Sequence, residues 1–264
     1  MSKITVPFIK SLKALKPIVA VTAYDFTTAK LVDKSEVDII LVGDSLGCVI
    51  QGATNTLSVT VDEIIYHTKC VASGVEKALV VADMPFASYQ ISHQSAIENS
   101  FKLIKDGHAS AVKLEGGTVM HDTIKRIVDC DIPVMGHVGL TPQSYHRMGG
   151  HKLQGKENAD KIFEDALSVE KAGAFSIVLE GIPDSLASKI TNELKIPTIG
   201  IGAGVDCDGQ ILVINDLLGF VEGKRPRFVK SYANFFAEGL TAVSNYAAEV
   251  RSKNYPSKEY SYGN

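Results

Sequence analysis

Five short apolar segments of this chain each end in a side chain that could take part in acid–base or metal chemistry. In chain order these side chains belong to Asp44, Asp83, Glu115, His137 and Glu180. A single Asp or Glu after an apolar run is most often a turn residue or a helix cap. Five such endings indicate a common position in the fold, where carboxylates could bind a cation and one of them could act as a base.

Asp44, Asp83 and Glu115 form the candidate metal site. Three carboxylates in one place repel each other and retain protons unless a cation offsets their charge. Their hard oxygen atoms favour Mg²⁺, which takes one or two carboxylates, keeps water molecules and leaves positions for substrate oxygens. Zinc is less suitable because only His137 offers a nitrogen at the end of such a segment. We therefore predict one Mg²⁺ ion per subunit.

Lys113 precedes Glu115 by two positions, so the two side chains share one face of a strand. An ammonium group there suits a substrate carboxylate, and a salt bridge inside the fold is the alternative. A Schiff-base role is disfavoured because nearby acids raise the pKa of a lysine. Glu180 is the candidate general base against a carbon acid. His137 is predicted to bind substrate or carry a proton, with a packed histidine as the alternative.

Apolar segments alternate with amphipathic segments along most of the chain, which predicts strands buried on both faces and helices between them. Thr60 and Ser92 mark helix starts, while Gly74, Gly107 and Gly173 fit the position that follows a helix end. The predicted strands occupy residues 17–23, 37–42, 78–82, 109–114, 132–136, 175–179, 196–201 and, more weakly, 210–214.

About eight strand–helix units in 264 residues predict a (β/α)8 TIM barrel, with a doubly wound open sheet as the alternative. We predict a single domain over residues 1–264, with the barrel at about 17–220 and a C-terminal helical extension at about 221–264. The strands of a barrel run in one direction, so their carboxyl ends open on one face. The acidic and imidazole side chains would converge there.

The composition argues against two classes of binding partner, nucleic acids and membranes. The net charge of −3 and the pI of about 6.2 provide no basic surface for nucleic acid or an anionic membrane. Four separated cysteines indicate neither a disulfide framework nor a zinc ribbon. No apolar run approaches the length of a membrane helix, and the expected location is the cytoplasm.

A glycine-rich segment at residues 200–209 invites a nucleotide-binding interpretation. The dinucleotide fingerprint would need a glycine where Val205 stands, and no P-loop motif occurs. Close approach of a ligand to the backbone and phosphate binding both remain open for this segment.

Eight motifs, collinear from about residue 21 to about residue 256, resemble those of the ketopantoate hydroxymethyltransferase family. Any one of them is weak, whereas eight in order are specific. The motifs are VTAYD, LVGDSLG, VVADMPF, VKLEGG, GHVGLTPQS, GGHKLQGK, VLEGIP and IGIGAGVDCDGQ.

The resemblance implies a TIM barrel that transfers a hydroxymethyl group from 5,10-methylenetetrahydrofolate to 3-methyl-2-oxobutanoate. The product is 2-dehydropantoate, made for pantothenate and coenzyme A through a Mg²⁺-stabilised enolate. The family also implies a homo-oligomer, commonly a decamer. The implied roles are Mg²⁺ ligation by Asp44 and Asp83, Glu115 on or near the ion through water, the substrate carboxylate at Ser45 and Lys113, His137 in the substrate pocket and Glu180 as the base.

Two rival functions also fit these residues. One is a Mg²⁺-dependent 2-ketoacid lyase or mutase of the phosphoenolpyruvate mutase and isocitrate lyase type, which would share the metal and the enolate. The other is a non-catalytic barrel that binds a carboxylate ligand. Turnover that requires folate separates the predicted enzyme from both.

Overall fold

The computed structural model contains a closed barrel of eight parallel strands in sequence order. Each strand pairs with the next, and the last pairs with the first. The predicted TIM barrel is confirmed, and the open-sheet alternative is wrong. The structure describes residues 3–150, 152–223 and 225–263. Met1, Ser2, His151, Lys224 and Asn264, which fall within the predicted domain range, lie outside the described residues.

All eight predicted strands are present, with boundaries shifted by a few residues. The strands are β1 Ile18–Thr22, β2 Ile39–Val42, β3 Leu79–Asp83, β4 Ala111–Lys113, β5 Val134–Gly139, β6 Ser176–Glu180, β7 Thr198–Ile201 and β8 Gly209–Leu212.

Helices surround the barrel and connect most successive strands. In the first part of the chain these are α1 Val6–Ser11, α2 Phe26–Lys34, α3 Leu46–Val49, α4 Val61–Gly74, α5 His93–Lys105, α6 His121–Val128, α7 Tyr145–Met148, α8 Ala159–Lys171 and α9 Asp184–Glu193. Short 3-10 turns occupy Thr118–Met120 and Pro142–Ser144.

The predicted helix starts are confirmed, but the glycine predictions hold only in part. Thr60 and Ser92 each form a capping box with the residue three positions later. Gly173 follows α8 with a φ of +98°, the left-handed conformation expected after a helix. Gly74 and Gly107 do not adopt that conformation. A Cβ at Gly74 would lie 2.6 Å from the carbonyl oxygen of Phe26, so glycine there permits α4 to approach α2 closely.

Alternate strand residues fill the barrel interior, including Leu79 and Val81 of β3 and Ala111 of β4. Strand side chains alternate between faces, so Asp83 and Lys113 project to the same interior two positions later. Asp83 and Lys113 are register partners in the β3–β4 pairing. The sequence pattern and the strand register therefore bring a carboxylate and an ammonium group together at the carboxyl end of the barrel.

The chain divides into two compact units, residues 1–213 and 214–264. The second unit contains α10 Ile214–Leu218, α11 Phe235–Arg251 and a 3-10 turn at Lys258–Tyr260. The range predicted for the C-terminal helical extension, about 221–264, contains α11. The extent of a single domain stays a prediction.

Two observations bear on the predictions made from composition. Cys48, Cys70, Cys130 and Cys207 are all free thiols. Within the described ranges, no helix is both long and apolar enough to cross a membrane.

Candidate active site

The site residues predicted from the sequence line one cavity of about 110 Å³ at the carboxyl ends of the strands. Four of them end or lie within strands, and the others lie in the loops that follow β2 and β4. Convergence on one face, expected from parallel strands, is thus observed. The residues are Asp44, Ser45, Asp83, Lys113, Glu115, His137 and Glu180.

Asp83 and Lys113 form a buried ion pair. The Lys113 Nζ atom donates to both carboxylate oxygens of Asp83, at 2.8 and 2.9 Å. Burial acts to lower the pKa of Lys113, but Asp83, Glu115 and Asp44 raise it above its ordinary value. Lys113 is therefore a cation in this site, which does not favour a nucleophilic amine.

Asp44 lies directly against this pair and is 4% exposed. Its backbone N–H donates to Asp83 Oδ2 at 3.2 Å. Burial and the charge of Asp83 raise the pKa of Asp44 to about 7, although Lys113 acts in the opposite direction. A cation close to Asp44 would favour its ionised form.

Glu115 has one carboxylate oxygen bound and one without a partner. Oε2 accepts a hydrogen bond from the backbone N–H of Gln143 at 3.0 Å. Oε1 lies 3.9 Å from Lys113 Nζ and 3.7 Å from His137 Nδ1, and it has no hydrogen bond among the described residues. Burial, with Asp44 and Asp83, raises the pKa of Glu115 well above its ordinary value despite Lys113.

His137 separates Glu115 from Glu180. Its Nε2 atom lies 3.3 Å from Glu180 Oε2, but in the described chain neither ring nitrogen is aligned for a hydrogen bond. Burial lowers the pKa of His137, and the contact with Glu180 only partly offsets this effect. A neutral imidazole therefore stands beside Glu180, whose side chain remains 16% exposed at the cavity.

Gln143 is a site residue that the sequence reasoning missed. Its Nε2 group donates to Asp44 Oδ2 and to the Met84 carbonyl, both at 2.9 Å. Its Oε1 atom accepts from the Tyr89 hydroxyl at 2.6 Å, and its backbone N–H holds Glu115. Gln143 thereby fixes two carboxylates at once. The motif GHVGLTPQS contained this residue, but no spacing rule singled it out.

A family model described as ketopantoate hydroxymethyltransferase matches residues 3–258 of this sequence. The chain belongs to this family. The resemblance drawn from the motifs is thereby confirmed, and with it the prediction of an enzyme of the hydroxymethyltransferase class.

Curated relatives support the same assignment. The 3-methyl-2-oxobutanoate hydroxymethyltransferase of Pelobacter propionicus is 56% identical over 262 residues, covering 98% of this chain and 97% of that protein. The enzyme of the same name from Geobacter metallireducens is 54% identical, covering 98% of each chain. That of Clostridioides difficile is 53% identical, covering 94% of this chain and 90% of the relative.

Solved structures show the same fold at low sequence identity. Phosphonopyruvate hydrolase superposes with a TM-score of 0.63 at 12% identity, covering 100% of this chain and 92% of that one. A 2,3-dimethylmalate lyase, described as a PEP mutase/isocitrate lyase superfamily member, gives 0.60 at 13% identity, covering 98% and 89%. These structures share the fold that the first rival function assumed. The family match, at much higher identity, favours the hydroxymethyltransferase over that rival.

Ser45 is predicted as a site residue of this hydroxymethyltransferase only from the motif resemblance. Its hydroxyl lies 2.8 Å from the Tyr24 hydroxyl, and the residue immediately precedes the short helix α3. Ser45 lines the same cavity as Lys113. A substrate carboxylate could contact both side chains.

The glycine-rich segment of this family member forms a connection between two strands, β7 and β8, rather than a strand-to-helix turn. A Cβ at Gly204 would lie 2.5 Å from the Cβ of Asp184, and one at Gly200 would lie 2.9 Å from Cys207 Sγ. Close packing within the protein therefore accounts for these two glycines. The dinucleotide interpretation lacks the helix that would receive a phosphate.

The carboxylates fit a magnesium ion that is completed by water and substrate. Among the described residues, no group of three or more His, Cys, Asp or Glu side chains is arranged to hold a metal ion. Mg²⁺ needs only one or two carboxylates, and Asp44 and Asp83 line the same cavity, close enough that the charge of Asp83 raises the pKa of Asp44. The raised pKa of Asp44 and the unpartnered Oε1 of Glu115 are both features that a hydrated cation would relieve.

Proposed function

We propose that the protein transfers a hydroxymethyl group from 5,10-methylenetetrahydrofolate to 3-methyl-2-oxobutanoate, giving 2-dehydropantoate for pantothenate and coenzyme A synthesis. One carbon–carbon bond forms at C3 of the ketoacid. The two carbon–nitrogen bonds to the donor methylene break, and water supplies the hydroxyl oxygen. Family membership supports the reaction. The position of Glu180 beside a neutral His137, at the edge of the carboxylate cavity, supports the mechanism.

The ketoacid binds in the strand-end cavity, with its carboxylate toward Lys113 and Ser45. Lys113 keeps its positive charge because three acids surround it. Asp83 neutralises much of this charge in the ion pair, so a substrate carboxylate is attracted chiefly when a bound cation offsets the acids around Lys113. Burial of the ion pair with Asp83 also holds the ammonium group in one place.

Glu180 removes the C3 proton. It is the most exposed of the site carboxylates and accepts no hydrogen bond from Lys113 or Gln143, so its oxygens are available to substrate. His137 lies against it as a neutral group and adds no charge that would weaken the base. These features suit a general base better than do the buried Asp83 and Glu115.

Asp44 and Asp83 would hold Mg²⁺, with Glu115 near it through water. When bound, the ion would supply positive charge beside the substrate oxygens, which would make the C3 proton more acidic. Gln143 keeps Asp44 and Glu115 in place through the bonds described above.

A proton NMR time course tests the proposed function. The protein is incubated with 3-methyl-2-oxobutanoate, Mg²⁺ and 5,10-methylenetetrahydrofolate in deuterated buffer, with and without a chelator. Hydroxymethyl signals that vanish with chelator are the expected result. Loss of the C3 proton signal alone would retain the enolising half of the site and reject the donor. No change with folded protein would favour the non-catalytic barrel.

Gln143→Met should weaken Mg²⁺ binding by about 10–100-fold, the loss typical of a residue that supports a metal ligand. Methionine has a similar length but cannot hold Asp44. Isothermal titration with Mg²⁺ in the presence of 3-methyl-2-oxobutanoate measures the effect. Gln51→Met, which removes an exposed glutamine bonded to Glu63, is the control. Equal Mg²⁺ affinity in the two variants would contradict the positioning role.

The increase in the thermal unfolding midpoint caused by Mg²⁺ should become larger as pH rises from about 4 to about 7. Folding raises the pKa of Asp44 from 3.8 to about 7, and that of Glu115 in the same direction. The metal-free folded protein therefore binds protons that the unfolded chain releases, so its stability falls over this range. Mg²⁺ binds the ionised carboxylates and reverses the loss.

Thermal unfolding midpoints, measured with chelator and with Mg²⁺ at several pH values, check this prediction. Asp44→Asn removes one of the two titrating carboxylates, so the stability of the metal-free protein should depend less on pH. A Mg²⁺-induced rise of the same size at both ends of the range would contradict it.

A further inference from the structure

A second cavity, of about 420 Å³, adjoins the first at the carboxyl end of the barrel. The loops after β3, β4 and β5 and the start of α8 form its walls. Glu115 lines both cavities, and Gln143 lines the larger one. The mechanism above places no ligand in this larger space.

The two cavities differ in the size of ligand that they suit. The strand-end cavity, at about 110 Å³, suits a small ketoacid. Cavities that bind drug-sized molecules usually measure about 300–1,000 Å³, and the second cavity falls within that range. A reduced folate is several times larger than the ketoacid, so the one-carbon donor needs the larger cavity.

The lining of the second cavity suits a flat heterocycle with a polar edge. Phe86, Met120 and Met148 provide apolar surface against which a ring can pack. Gln90 and Asn158 provide amide groups. Gln90 Nε2 donates to Gln143, and Asn158 Oδ1 accepts from the Gly155 backbone. The other amide atom of each side chain can therefore contact a ligand. A pteridine ring has an edge of alternating N–H and C=O groups, which side-chain amides match as donors and acceptors.

Thr141 provides an independent observation that points to a ligand. The residue lines the cavity and is only 6% exposed. Its hydroxyl group has no hydrogen-bond partner among the residues that the structure describes. Buried hydroxyl groups are normally paired, so an unpaired one at a cavity wall indicates a partner that arrives with a ligand.

Two cations lie at the exposed side of the cavity. Arg147 donates to Ser144 Oγ at 3.1 Å, and Lys161 lies 3.1 Å from Asp165 with more than half of its side chain exposed. Asp165 offsets part of the charge of Lys161, while Arg147 has no such carboxylate contact among the described ion pairs. The glutamate tail of a folate carries two carboxylates, which an exposed guanidinium group can bind in a bidentate manner.

We infer that the second cavity binds the pteridine ring of the reduced folate donor, with Thr141 pairing to the ring and Arg147 to the glutamate tail. The inference rests on the proposed function. The shared wall at Glu115 brings the donor methylene next to the ketoacid, so that the two substrates occupy adjoining cavities at the same time.

Titration with tetrahydrofolate, in the presence of 3-methyl-2-oxobutanoate and Mg²⁺, tests the inference. Thr141→Val removes the hydroxyl at constant shape and should raise the Kd of tetrahydrofolate by about three- to tenfold. Ser176→Ala is the matched control, because Ser176 also has a buried hydroxyl without a described partner but lines neither cavity. The Kd of tetrahydrofolate for Ser176→Ala should equal that for the unaltered protein.

Arg147→Ala changes an exposed side chain and tests the tail separately. It should raise the Kd of tetrahydrofolate and leave that of tetrahydropterin, which lacks the tail, unchanged. Thermal unfolding verifies that each variant is folded. Unchanged tetrahydrofolate affinity in both Thr141→Val and Arg147→Ala overturns the inference.

Proton exchange at C3 by the unaltered protein separates this failure from failure of the proposed function, since exchange needs no donor. If the unaltered protein exchanges the C3 proton and both variants bind tetrahydrofolate with unchanged Kd, only the inference about the folate cavity is rejected. Absence of both exchange and turnover in the unaltered protein rejects the proposed function and the inference together.

Discussion

Glu180→Gln is expected to lower the rate of C3 proton exchange from 3-methyl-2-oxobutanoate by about 10²–10⁴-fold, the usual contribution of a positioned general base. Glutamine keeps the size and the contact with His137 but cannot accept a proton at neutral pH. Mg²⁺ binding should persist, because Asp44 and Asp83 are unchanged. The exchange is followed by NMR in deuterated buffer, and Mg²⁺ binding by isothermal titration.

Glu180→Asp provides the graded comparison. It keeps a carboxylate but withdraws it from the cavity, so we expect an exchange rate between those of the unaltered protein and Glu180→Gln. Exchange that continues in Glu180→Gln at the normal rate would remove Glu180 from the role of base. Because His137 is buried and neutral beside it, His137 would then be the next candidate.

Asp44→Asn is expected to weaken Mg²⁺ binding by more than about 100-fold, beyond the loss typical of residues that only support a ligand. The substitution removes one of the two carboxylates proposed to hold the ion while keeping the shape of the side chain. Asp83→Asn should weaken binding too, but it also leaves the buried Lys113 without its ion-pair partner. Such a loss destabilises the fold itself, so Asp44 gives the cleaner test.

Asp38→Asn is the matched control for Asp44→Asn. Asp38 is also a buried aspartate and immediately precedes β2, at the opposite end of that strand from Asp44. Its carboxylate accepts a hydrogen bond from the Val19 backbone and does not line the strand-end cavity. We expect some loss of stability and normal Mg²⁺ affinity. Unchanged Mg²⁺ affinity in Asp44→Asn would refute its assignment as a ligand.

The sequence alone predicted the barrel and the convergence of the candidate site residues on one cavity, because two regularities carry the information. Parallel strands send their carboxyl ends to one face, which brings Asp83 and Glu180 together although they lie far apart in the chain. Side-chain alternation then places Lys113 and Glu115 in the same cavity. Both rules use only the order and period of residues.

Features that depend on contacts between loops could not be read in this way. Gln143 lies in a 3-10 turn beyond β5, and its five hydrogen bonds connect it to the loops that follow β2, β3 and β4. Nothing in its neighbours along the chain distinguishes it from any other polar residue. Gly74 is similar: it ends α4, as its position in the sequence indicates, but the reason for a glycine there is the close contact with the carbonyl of Phe26 on another helix.

The register of β3 against β4 makes the strand-end cavity sensitive to correct folding. Asp83 and Lys113 face each other because Val81 pairs with Ala111 two positions earlier. A slip of one residue would turn the shifted strand's side chains to the opposite face and send either Asp83 or Lys113 among the surrounding helices. A refolded preparation with that error could still contain helices and a compact barrel. The fraction of molecules that bind 3-methyl-2-oxobutanoate would then equal the fraction of barrels with the correct register. A measurement of secondary-structure content would not distinguish the two kinds of barrel.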